Sequence, residues 1–79
     1  MMNRSREQII ANILSAVNTP IKRTHIMYQA NLSFDQLKIY IEYLNSRKFI
    51  QQTEDDLWEI TDAGRTFVGQ YQLLAAMLA

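Results

Sequence analysis

The chain of 79 residues contains no cysteine, one proline and two glycines. Without thiols it forms neither a disulfide nor a thiolate metal site, so its core goes unstapled. No stretch joins a basic start to an apolar run as a secretory leader does. The longest apolar run, Leu73 to Ala79, is far below the roughly 20 residues of a membrane helix. The expectation is a soluble intracellular protein in the cytoplasm. A domain this short buries only about 60–65% of the surface its unfolded chain exposes, and self-association is the expected supplement to so thin a core.

Catalytic equipment is equally scarce. There is no glycine-rich phosphate loop and no nucleophile beside an evident base. His25 is the sole histidine and lacks the spaced partners that a metal site or a general base needs. It reads as a partly exposed helix residue. The Glu54-Asp55-Asp56 run reads as a solvated turn. The chain is therefore expected not to be an enzyme, to need no cofactor and to bind no metal.

Net charge is also absent, but the zero conceals a division. Residues 1–50 hold seven basic residues (Arg4, Arg6, Lys22, Arg23, Lys38, Arg47, Lys48) against three acids, for +4. Residues 51–79 hold Arg65 against five acids, for −4. Such asymmetry marks either a nucleic-acid-facing surface or charges scattered over solvated faces.

What is present is periodic. In Leu32 to Asn45, Ser33 and Gln36 stand three apart as a capping box, each bonding the other's backbone N–H. Phe34, Leu37, Ile41 and Leu44, with Tyr40 beside them, form one apolar stripe assigned to the core. The opposite face centres on Asp35, Ile39, Glu42 and Ser46, flanked by Gln36, Lys38, Tyr43 and Asn45. In a major groove, Gln36, Lys38 and Asn45 have the chemistry for base edges or phosphates, while Asp35 and Glu42 repel the backbone.

Ahead of this helix, Ser5 and Gln8 repeat the box, and Ile9, Ile10, Ile13, Leu14 and Val17 predict a helix over 5–18 that Asn18-Thr19-Pro20 ends. Arg4 and Arg6 stand at its start, the unfavourable end of the dipole for a cation, and read either as phosphate contacts or as two exposed arginines at a frayed terminus. Ile21 suits a bridge, Thr24 a cap for a short helix over 25–30, and Asn31 a left-handed stop. After Arg47-Lys48 the period becomes two: Phe49–Thr53 and Leu57–Ile60 read as a hairpin with Ile50, Trp58 and Ile60 on one face. Thr61 then caps a last helix with Asp62 in its first turn, and Gly64 suits a close approach to the hairpin. Met27 and Met77 read as gap filling.

The order predicts a mainly α domain with a small β-hairpin: a three-helix core, a wing and a C-terminal helix. Tyr28 and Tyr43 suit either phosphate contact through their hydroxyls or partial burial, and Ile39 either a thymine methyl or a protein contact.

Ile26-Met27-Tyr28, Leu32-Ser33-Phe34, Gln36-Leu37-Lys38, Tyr40, Leu44, Phe49-Ile50 and Ile60-Thr61-Asp62-Ala63-Gly64 with Phe67 resemble the small archaeal-type winged helix-turn-helix proteins, DNA binders and transcriptional regulators. The resemblance implies DNA binding through helix 33–46. It also implies a homodimer through the C-terminal helix, an antiparallel coiled coil falling here on 67–78. The 4-3-4 spacing of Phe67, Tyr71, Leu74 and Leu78 agrees with that seam. Residues 1–64 form the winged helix and 65–79 the dimerisation helix of one domain. The chain departs from a DNA-touching pattern in its acidic wing tip and its short last helix. The expected DNA-contacting set is Arg4, Arg6, Lys22, Arg23, Tyr28, Ser33, Gln36, Lys38, Ile39 and Tyr43, and a protein-interaction module on the same fold is the alternative.

Overall fold

A computed structural model describes residues 4–78, so Ala79 and the first three residues lie outside the account that follows. Helix α1 (Arg6–Ala16) opens on the Ser5 and Gln8 capping box, both bonds present at 3.1 and 2.8 Å. It stops two residues short of the expected end. Buried Val17 caps it because the Val17 carbonyl accepts the Ile60 N–H at 3.0 Å, which draws the backbone out of the helix and into the hairpin. Asn18-Thr19-Pro20 is past the end.

Ile21 then exchanges both backbone bonds with Trp58, at 3.1 and 2.9 Å. Helix α2 (Arg23–Gln29) begins directly after this bridge, so the expected Thr24 cap does not form. Lys22 is the N-cap residue and offers no side-chain bond, because the extended backbone leaving the bridge turns helical at once.

Helix α3 (Phe34–Ser46) has the predicted box at Ser33 and Gln36, at 3.0 and 3.1 Å. Such a cap is worth about 1 kcal/mol. Leu37, Ile41 and Leu44 are buried as expected. Phe34 is not: it is 66% exposed. At about 100° per residue it stands roughly 60° away from Leu37, and as the first helical residue it lies at the margin of the packed stripe.

The corners before and after α3 use one device. Leu32 N–H reaches back to Met27 O at 3.0 Å and Asn31 N–H to Tyr28 O at 3.2 Å; Phe49 and Lys48 do the same to Leu44 and Asn45, each at 3.0 Å. These are paired Schellman bonds, which require a left-handed residue. Asn31 (φ 54°) and Lys48 (φ 60°) occupy it. Asn31 was legible; Lys48 was not, since lysine rarely takes that conformation.

The hairpin pairs β1 (Ile50–Gln52) with β2 (Trp58–Ile60), antiparallel, Gln51 opposite Glu59. The ladder is shorter than expected because Thr53 N–H closes onto Leu57 O at 2.7 Å and starts the turn. Thr53 Oγ1 accepts from the Asp55 and Leu57 N–H groups within it, and Asp56 turns left-handed at φ 61°. Ile50, Trp58 and Ile60 face the core.

Helix α4 (Asp62–Leu78) starts where the Thr61 hydroxyl accepts the Gly64 N–H at 3.1 Å and donates to Lys48 O at 2.6 Å. It packs on α1 and β2, and Phe67 meets Phe49 with ring centroids 5.5 Å apart. Its far half stands clear. Met77, read as gap filling, is 74% exposed, because it lies near the free end of α4. Among the described residues no helix is long and apolar enough to cross a membrane.

Candidate nucleic-acid interface

The cap at one end of α3 and the Schellman corner at the other hold it as a rigid rod, with Leu37, Ile41 and Leu44 anchoring its inner side. The outer side is thereby set: Asp35, Gln36, Lys38, Ile39, Glu42, Asn45 and Ser46 are exposed. Ile39 is 66% open to solvent. A side chain on this side can meet a groove without any rearrangement of the core.

The cap also restricts chemistry. Gln36 Oε1 accepts the Ser33 N–H, which ties the side chain to the cap and leaves both amide N–H donors and one Oε1 lone pair. These donors suit the N7 or O6 of guanine or the O4 of thymine, whereas the two-bond pattern that reads adenine also draws on the Oε1 that serves the cap. Ser33 Oγ accepts from Gln36 N–H and retains its own hydrogen for a phosphate.

The basic residues of the expected surface fall into four situations. Arg4 is committed internally: its guanidinium donates to Ala30 O at 2.5 Å and Asn31 O at 2.8 Å. It meets the carbonyls of the C-cap Ala30 and of Asn31 just past the end of α2, where a cation is favoured. That role explains why an arginine precedes α1 and leaves less of it for phosphate. Lys22 and Lys38 are exposed. Arg23 is half-buried, and its Nε is enclosed without a hydrogen-bond partner.

Arg6 lies on an aromatic ring, its Cζ 4.9 Å from the Tyr43 centroid, and Arg47 approaches the same ring at 5.9 Å. Arg47 was not among the expected contacts. Its neighbourhood with Arg6 joins segments about forty positions apart and leaves no local trace in the sequence. Tyr43 is half-buried, whereas Tyr28 is 76% exposed. Among the described residues the one ion pair is Arg65 with Asp62, at 3.3 Å on α4, so the cations on α3 and before it carry no carboxylate partner there.

The wing tip presents Glu54, Asp55 and Asp56, all exposed. Of the expected dimer seam, Phe67, Tyr71 and Leu74 line one shallow groove with Glu7 and Gln70. Leu78 lies beyond it, 79% exposed.

Comparison with known proteins agrees with this architecture. The chain is 41% identical over 64 residues to an uncharacterized protein of Methanocaldococcus jannaschii, a match covering 80% of this chain and 30% of that protein. It thus spans under a third of that relative's length. Its fold matches the crystal structure of Sso10a-2, a DNA-binding protein from Sulfolobus solfataricus, with a TM-score of 0.82 at 21% identity, over 94% of this chain and 81% of the other. The pattern of the winged helix-turn-helix family covers residues 3–79. The archaeal-type resemblance read from the sequence is met, and the chain belongs to the winged helix-turn-helix family.

Proposed function

We propose that the protein binds duplex DNA with α3 in the major groove and acts at the nucleoid as a homodimeric transcriptional regulator. The observation that carries this is the outer side of α3: capped at its start, exposed, and accompanied by cations on α3 and on the segments before it that, among the described residues, have no carboxylate partner. The likeness to a DNA-binding protein of the same fold supports it. Lys22, Arg23, Lys38 and the Ser33 hydroxyl meet phosphates, the exposed Tyr28 offers its hydroxyl to another, and the Gln36 amide and Ile39 address base edges.

The wing behaves differently. Three carboxylates at its tip would each face the phosphate field, so the tip stays off the duplex. Changing Glu54, Asp55 and Asp56 together to Ser is expected to tighten binding to random DNA; weaker binding would show that the acids contribute at the interface.

A protein-interaction module is the second reading, favoured by Phe34 and Ile39, each 66% exposed, beside Asp35 and Glu42. Replacing Lys22 and Arg23 with Ala separates the two. On the DNA reading the variant binds every sequence more weakly and its salt dependence flattens by about 1–2 units of slope. Gln36→Ala instead changes sequence preference. Wild-type behaviour from both variants would mean that the surface is misplaced.

A further inference from the structure

Tyr43 packs against the core, but that packing does not call for the two arginines, Arg6 and Arg47, gathered on its ring. Two guanidinium groups converge on one ring at 4.9 and 5.9 Å. Like charges so placed repel, and among the described residues neither has a carboxylate within ion-pair distance. The helix dipole accounts for only half of the arrangement. Arg47 is the C-cap of α3, where a cation is favoured, but Arg6 opens α1, where it is not.

Position supplies the purpose. Ile39, Tyr43 and Arg47 are each four residues apart, so they form one ridge of α3 running from its outer side towards its C-terminal flank. A helix lying in a major groove brings such a flank against one strand's backbone. Guanidinium groups held over a tyrosine ring are partly ordered before any ligand arrives, which lowers the entropic cost of gripping an anion. The tyrosine hydroxyl adds a donor.

We infer that Arg6, Tyr43 and Arg47 together hold one backbone phosphate of bound DNA, a single clamp made from α1 and α3. The inference rests on the DNA-binding reading and adds to it Arg47 and the shared geometry. Each neutralised phosphate contributes about 0.9 to the slope of log K against log salt. A shared phosphate therefore predicts a definite count.

The test is binding of random-sequence duplex DNA over a salt series, with melting checked for each variant. Arg6→Gln combined with Arg47→Gln is expected to flatten the slope by about 1, although two charges are removed, and to weaken binding roughly tenfold at low salt. Arg6→Lys with Arg47→Lys keeps the charge but loses the planar fork. It is expected to keep the slope while binding several-fold more weakly. A glutamine pair with wild-type affinity and slope, or one flattening the slope by about 2 as independent contacts would, overturns the clamp while leaving DNA binding intact. Lysine variants that match wild-type affinity overturn the stacked geometry. Wild-type protein that ignores duplex DNA at low salt overturns the clamp and the DNA reading together.

Discussion

Replacing Gly64 with alanine is expected to lower the melting temperature by about 12–24 °C, whereas the same change at Gly69 should raise it. Glycine inside a helix ordinarily costs about 0.5–1 kcal/mol relative to alanine, so alanine would normally stabilise either site. At Gly69 no atom lies within 4 Å of the added carbon, and the usual gain applies. At Gly64 the added carbon falls 2.7 Å from Ile60 Cγ1 and closer still to the Phe49 carbonyl oxygen. That oxygen is fixed, since it accepts the Thr61 N–H at 3.0 Å. Relief requires α4 to move off the wing, and overpacking of this kind costs about 3 kcal/mol, with each kcal/mol worth about 4–8 °C in a domain of this size. Thermal melts of both variants beside wild type decide the matter. Equal gains at the two sites would contradict the close seating of α4 on the corner between α3 and β1.

The second large effect is expected in assembly. Leu73, Leu74, Met77 and Leu78 are 60%, 55%, 74% and 79% exposed on the free half of α4, a concentration of apolar surface that isolated soluble domains seldom leave open. Phe67 and Tyr71 extend it into the groove beside Glu7. Pairing of two such helices would cover it, which is the basis for proposing a homodimer. Changing Leu74 and Leu78 together to Asp should convert a species of two chains into one of a single chain in sedimentation equilibrium. Helix content near α1 should change little, because both side chains lie mostly outside the domain's own packing. A single-chain mass for wild type and variant alike would sink the dimer.

Local chemistry explains what was legible in advance. The two capping boxes at Ser5 and Ser33, the left-handed Asn31, the Ile21 bridge and the constrained Gly64 each announce themselves within a few residues, because a cap or a tight turn needs particular atoms at particular spacings. Burial at the ends of elements does not. Phe34 and Met77 satisfy helical periodicity, yet solvent reaches both, since periodicity says which direction a side chain takes and not whether another element lies there. Lys48 is a third case: helix α3 ends in a Schellman turn without Gly or Asn, so no residue type advertised the left-handed position.

The interface shows the same limit. The outer side of α3 follows from its stripe, so Lys38 and Ile39 were placed from spacing alone. Arg4 bonding Ala30 and Asn31, and Arg6 meeting Tyr43 and Arg47, depend on how α1 lies across the other helices. Two arginines at the head of α1 with identical sequence signals therefore acquire different roles, one closing the end of α2 and the other facing outward on a ring.

Whether α3 meets DNA is decided by titrating wild-type protein with random-sequence duplex from about 50 to about 200 mM salt. Engagement of several phosphates by the basic half predicts that log K falls linearly with log salt, with a slope of about −3 to −5 at roughly −0.9 per phosphate. No binding at the lowest salt, or an affinity indifferent to salt, would contradict a DNA-binding role for this surface and leave the exposed Phe34 and Ile39 as contacts for a protein partner.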